Sequence, residues 1–136
     1  MRRLDALTTL AGAVDGRREL GRRGEAVAEA FLRSRRYTIV ARNYRCRLGE
    51  IDLVALDGTT LVFVEVRSRR GDVAGTPFES VDARKQARVA RVAQHFLAAR
   101  GWIERDARFD VIGVRFDADP PAVEHARAAF DLHGAP

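Results

Sequence analysis

The chain has 136 residues, 46% of them hydrophobic, enough for one domain that buries roughly two-thirds of its unfolded surface without a disulfide or structural metal. A single cysteine, Cys46, excludes an internal disulfide and a cysteine-rich zinc site, and no apolar run approaches the roughly 18 residues of a membrane helix. The net charge of +5 is uneven, with 20 bases and 12 acids in residues 1–100 against 4 and 7 in 101–136, a distribution that favours a polyanionic partner over an acidic small molecule.

Arginine accounts for 23 of the 24 bases, and Lys85 is the only lysine. The opening MRRLDALTTLAGAVDG has the outline of a signal peptide, but Asp5, Thr8 and Thr9 interrupt its apolar stretch. Together with the lone cysteine this predicts a cytoplasmic protein. Residues 1–18 read as a mobile tail or a frayed helix, and 19–136 as a single domain.

From Gly21 to Arg36 the spacing predicts a helix with Val27, Ala30, Phe31 and Ser34 on one face. Tyr37 to Tyr44 is rich in β-formers and predicts a strand. IDLVAL and TLVFVEV flank Asp57-Gly58, which predicts a hairpin. The unbroken apolar run Leu61–Val64 marks its second arm as a central strand covered on both faces. Residues 68–79, with Gly71, Gly75 and Pro77, read as a loop. Asp82 then caps a helix that runs to about Arg100 and stops at Gly101, with Val89, Val92, Ala93, Phe96 and Leu97 as its buried stripe. Residues 109–116 form a fourth strand. The segment 122–130 reads equally as helix or strand. The order is α-β-β-β-α-β, an α/β sheet in three layers or half covered.

Side chains alternate across a strand, so Glu50 and Asp52 share one face of the first arm, and Ile51 and Leu53 share the other. On the second arm Glu65 and Arg67 share a face, with Val64 and Val66 opposite. A turn at Asp57-Gly58 sets Asp52 across from Glu65, to within a residue of register. Two carboxylates and a guanidinium thereby gather on an otherwise apolar sheet. Paired acids without a fixed cation repel each other, as the ligands of a Mg²⁺ or Mn²⁺ ion do when the ion is absent. Taken singly, Glu65 reads as an ion-pair partner of Arg67 or Arg45.

GEIDLVALDG (49–58) followed by LVFVEVRSR (61–69) resembles the PD-(D/E)-x-K nuclease core. The run Gly24-Glu25, Ala28-Glu29, Phe31-Leu32 resembles the first helix of archaeal Holliday-junction resolvases. From Gly21 to about Leu97 the chain resembles the YraN-like family of uncharacterised bacterial proteins, whose recurrent pieces stand here as G-x-x-G-E, RNYRCRLGEIDLVA, FVEVRSR, TPFESVDARKQAR and RFDVIGV. These resemblances imply a restriction-endonuclease-like α/β core, a mixed sheet flanked by helices. They imply Asp52 and Glu65 as ligands of Mg²⁺ or Mn²⁺, with the Val66 carbonyl adding an oxygen and Glu25 completing or orienting the site. In such nucleases the cation neutralises the scissile phosphate and activates a water.

One position departs from the pattern: Arg67 stands where the resemblance implies lysine. Arginine offers a permanent charge and a forked donor but cannot serve as a base. The resemblance also places a lysine at Lys85, either near the site or gripping a phosphate.

Arg84, Lys85, Arg88 and Arg91 form one face of the second helix, without intervening acids, and Arg69 and Arg70 lie in the loop. That face is suited either to solvent or to several backbone phosphates, bound without base readout. His95, His125 and His133 show no ligand spacing and read as structural or surface residues. Trp102 reads as packing, and Cys46 has no nearby catalytic partner. Two functional readings remain open: a metal-dependent endonuclease on branched or flapped DNA, and a non-catalytic nucleic-acid-binding module with a degenerate nuclease site. A third is a structural or adaptor protein whose charge is incidental. The resemblance to resolvases admits a homodimer, although no segment marks a dimer surface.

Overall fold

The structure, a computed structural model, describes residues 5–71 and 82–130, with side chains from residue 16 onward. Helix α1 (Asp5–Ser34) leads into strands β1 (Thr38–Cys46), β2 (Gly49–Asp57) and β3 (Thr60–Arg69). Helix α2 (Ala83–Arg100) crosses to β4 (Ala107–Arg115), and β5 (Ala122–Phe130) completes the chain order. The five strands form one mixed sheet in sequence order, antiparallel except for the parallel β3–β4 pair that α2 connects. This is the core implied by the motifs, with 122–130 resolved as a fifth strand. Most of the expected 68–79 loop, and His133, lie outside the described residues, and β3 continues through Ser68 and Arg69.

The two helices cover opposite faces, so the architecture is three layers. On the α2 side, Val54, Leu61, Phe63 and Phe109 pack against Val89, Val92, Ala93, Phe96 and Leu97, the predicted stripe. On the α1 side, Leu53, Ala55, Val62, Val64 and Ile112 pack against Ala28 and Leu32. β3 is central and covered on both faces, as its unbroken apolar run requires. Asp82 accepts a hydrogen bond from Lys85 N (2.9 Å), and Gly101 closes the helix in the left-handed conformation.

α1 departs from the expected face and start. It begins at Asp5, and Ala30 and Ser34 are exposed while Gly24, Ala28 and Leu32 are buried. The reason is close approach at Gly24, where an added Cβ would overlap the Ser68 hydroxyl and lie 3.1 Å from Ser68 Cβ. The helix touches the sheet along the row 24-28-32 because only glycine lets it come that near.

Asp110 on β4 is fully buried yet charged. It accepts from Arg108 Nε (3.0 Å) and Ala128 N (3.0 Å), and its Oδ2 lies 2.8 Å from His125 Nε2. The β4–β5 register slips beside it, and the displaced Ala128 amide finds the carboxylate instead of a strand partner. Arg108 and Arg127 both reach Asp57 Oδ2 at 3.1 Å, tying the hairpin turn to the far strands. Burial pushes the Asp110 carboxyl up, but hydrogen bonds from His125, Arg108 and Ala128 outweigh it and hold the group below its ordinary value.

Two outcomes follow from these contacts. Asp110→Ala should cost about 3–5 kcal/mol, because it strands buried cations. The carboxylate's stabilisation is present above its unfolded pKa and is lost as pH falls, so urea denaturation should separate the two proteins at pH 7 and bring them together in acid. Gly24→Ala should cost about 1–3 kcal/mol from overpacking, and Ser68→Gly should recover part of it in the same assay.

Candidate functional site

The β2–β3 ladder runs from Asp57↔Thr60 up to Leu53↔Val64 and goes no further. Beyond that pair the strands part, and Val66 N donates to Asp52 Oδ2 at 2.8 Å in place of a strand carbonyl. Alternation breaks at the same point. Ile51 packs on the α2 side with Val54, while Leu53 packs on the α1 side, so the two do not share a face as strict alternation predicts. Asp52 therefore sits at the fork and lines three clefts of about 380, 560 and 220 Å³ that meet there.

Glu65 extends the same register from β3 and carries two cations. Lys85 Nζ lies 2.6 Å and Arg67 Nη1 3.3 Å from its Oε2. The expected Arg67 pairing is present, whereas Arg45 instead meets Glu50 at 3.4 Å. The chain's only lysine thus enters the site from α2, beside the strand arginine that replaces the motif lysine. Asp82 fixes it there by capping the helix through the Lys85 amide.

Glu25 reaches the site from α1 and lines two of the clefts with Asp52. Asn43 Nδ2 bridges Glu25 Oε1 (3.1 Å) and Glu50 Oε2 (3.4 Å) from a left-handed position in β1. Glycine precedes each of these acids. Gly24 brings α1 onto β3, and Gly49, at φ 147°, passes under α2 where a Cβ would lie 3.2 Å from Val92. Burial first, then the negative charge of Glu65, Glu25 and Glu50, pushes the Asp52 carboxyl up to about 7 against the opposing Val66 hydrogen bond.

The donor set suits a hard divalent cation: two adjacent half-buried carboxylates, one of them destabilised by its acidic neighbours. Among the described residues no three His, Cys, Asp or Glu side chains close into a complete metal shell. Asp52 and Glu65 would be the side chains to hold such a cation, which would take water at its other positions.

The remaining expected residues divide between the two helices. Arg84, Arg88 and Arg91 are exposed on α2, and Arg88 lines the 220 Å³ cleft with Lys85. Arg69 ends β3, its Nη1 3.4 Å from the Ser68 carbonyl. Arg70 leaves the α2 face and reaches α1, its Nη2 3.6 Å from where a Cβ on Gly16 would lie. His95 bonds the Tyr44 hydroxyl (2.6 Å), His125 holds Asp110, and Trp102 meets Phe96 edge to face with Arg100 and Arg105 over its ring.

The sequence model of the uncharacterised protein family UPF0102 matches residues 24–114. The chain belongs to UPF0102. A UPF0102 protein of Anaeromyxobacter dehalogenans is 49% identical over 125 residues, covering 92% of this chain and 93% of the relative. UPF0102 proteins of Geotalea uraniireducens and Moorella thermoacetica are 43% and 48% identical, covering 85% and 84% of the chain and 91% and 97% of their own lengths. The UPF0102 match contains the whole Glu25, Asp52, Glu65, Arg67 and Lys85 set, while β5 and the arginines of the first half of α1 lie outside it. No described helix is long and apolar enough to cross a membrane.

Sequence reasoning missed Asn43 and the arginines Arg17, Arg18, Arg22 and Arg45 that border the UPF0102 clefts. Asn43 carried one signal, an asparagine inside a β-run, the residue type most tolerant of a left-handed backbone.

The raised Asp52 carboxyl has a definite sign. The folded protein keeps this proton between the ordinary carboxylate range and about pH 7, so stability falls as pH rises through that window. Asp52→Asn should remove this dependence and stabilise the protein above pH 7 by up to about 3 kcal/mol, read by urea denaturation from pH 4 to 8. Mn²⁺ should stabilise the wild type more at pH 8 than at pH 5.5, and Asp52→Asn should abolish that gain.

Proposed function

We propose that this UPF0102 domain is a metal-dependent phosphodiesterase that cuts a nucleic-acid backbone, with DNA as the substrate the motifs favour. One observation carries the reading: Asp52 and Glu65 converge at the open end of the β2–β3 hairpin, with Arg67 and Lys85 on the second carboxylate. Half-buried acids set side by side cost stability unless a cation compensates them, and their position on solvent-connected clefts supports a ligand-binding role.

Asp52 and Glu65 would hold the cation, with the Val66 carbonyl as a third oxygen. When bound, it supplies charge neutralisation and activation of water. The chain's own residues do the rest. Arg67 and Lys85 hold positive charge beside Glu65, where it can stabilise the extra charge of a phosphate under attack. Glu25, steadied by Asn43, orients water from the α1 side.

Incubation of labelled linear, flapped and branched DNA with Mg²⁺ or Mn²⁺ tests the proposal. Wild type should cleave, and Asp52→Asn and Glu65→Gln should each lower the rate at least about 100-fold. Equal residual cleavage in all three would refute it. A second reading has its own observation: Lys85 and Arg67 together satisfy Glu65 without any metal. In that case the domain binds nucleic acid without cutting it. Binding would then be insensitive to EDTA, no variant would change turnover, and Arg67→Lys could switch cleavage on.

A further inference from the structure

The basic residues around the site are not confined to α2. The 380 Å³ cleft is bordered by Arg17, and the 560 Å³ cleft by Arg18, Arg22 and Arg45. The three α1 arginines lie along the middle of the helix, Arg17 and Arg18 before Gly21 and Arg22 after it. A Cβ on Gly21 would meet nothing within 4 Å, so the helix stands clear of the sheet here while it is pressed against Ser68 at Gly24. Arg70 comes up from the end of β3 to the same stretch of α1.

The two halves of α1 treat their arginines differently. At the far end Glu29 takes Arg33 (3.0 Å) and, from β1, Arg42 (2.6 Å). Near the clefts, among the described residues, no carboxylate comes within ion-pair distance of Arg17 or Arg18. Arg22 meets only Glu19, with both side chains more than half exposed, a contact worth little in water. Positive charge left uncompensated beside a cleft raises the local concentration of anions.

α1 and α2 cover opposite faces of the sheet, and the acid pair lies at the sheet end between them. We infer that Arg17, Arg18 and Arg22, with Arg45 and Arg70, form a second phosphate-binding wall facing that of Arg84, Arg88 and Arg91, so that a polynucleotide crosses the Asp52–Glu65 fork with its backbone gripped on both sides. This inference rests on the nucleic-acid reading and deepens it. The ligand is an internal stretch of a polymer, because a mononucleotide or a chain terminus can occupy only one wall.

The test is fluorescence anisotropy with a labelled duplex of about 20 base pairs, and the matching single strand, in EDTA across about 25–200 mM NaCl. Four proteins are compared: wild type, Arg17→Gln/Arg18→Gln/Arg22→Gln, Arg84→Gln/Arg88→Gln/Arg91→Gln, and the control Arg35→Gln/Arg100→Gln/Arg105→Gln. The control removes the same charge from positions that border none of the three clefts. Each wall variant should weaken binding at least about tenfold, and the slope of log affinity against log salt should become shallower by roughly 2–3, close to one per lost phosphate contact. The control should keep the wild-type slope. If the α1 variant binds like wild type while the α2 variant weakens, or if all three variants weaken alike, the second wall is overturned and nucleic-acid binding survives. If wild type does not bind at the lowest salt, both fail.

Discussion

The hydrogen bond from the Val66 amide to Asp52 is the contact on which the site depends. Where β2 and β3 part, a backbone donor is left without a strand partner, and a buried amide without an acceptor costs about as much as a lost hydrogen bond. Asp52 supplies the acceptor at 2.8 Å. Doing so commits a carboxylate to a half-buried position beside Glu65. From that commitment follow its raised pKa and the meeting of three clefts at one side chain.

The sheet also holds a fully buried carboxylate, Asp110, and the contrast shows how differently two acids of one sheet are compensated. Asp110 faces the α1 side two strands away, more deeply enclosed than Asp52, yet its carboxyl sits below its ordinary value. Arg108, His125 and the Ala128 amide converge on it, so the charge lost to water is replaced by fixed donors. Asp52 has one amide donor and three acidic neighbours. Both carboxylates lie in one sheet, Asp110 buried and Asp52 half-buried, but only Asp110 has its compensation built into the chain. The shortfall at Asp52 is what a cation would make good.

Charge is arranged in layers around that point. The acids Glu25, Glu50, Asp52 and Glu65 form the floor, while arginines from α1, β1 and α2 border the clefts. Lys85 is the exception among the bases, because it turns inward to Glu65. Arg67 retains the strand position of the motif lysine, and Lys85 adds a second cation from across the core. The substitution at 67 therefore leaves the site with two positive groups on one carboxylate.

Much of the fold was legible in the amino-acid order. Asp57-Gly58 marked the hairpin, the run Leu61–Val64 marked the central strand, and Asp82 with Gly101 delimited α2, because turns, caps and apolar periodicity are local properties. The pairing of Asp52 with Glu65 followed from the same register arithmetic, and Glu25 from a resemblance. What the sequence could not determine was set by contacts between distant segments. Strict alternation put Ile51 and Leu53 on one face, but the parting of the strands sent them to opposite sides. Periodicity put Ala30 and Ser34 inward, but the approach of Gly24 to Ser68 rotated α1 onto another row. Lys85 read as a base on a helix face, or by resemblance as one near the site or on a phosphate, until packing brought it to Glu65, and Arg17 and Arg18 read as part of a tail until α1 was laid along the sheet. The sequence by itself determined the elements, the hairpin register and the acids. The tertiary structure decided which cations reach them and from which side, because an ion pair between residues 20 apart in the chain depends on how a helix packs and leaves no periodic trace in the residues themselves.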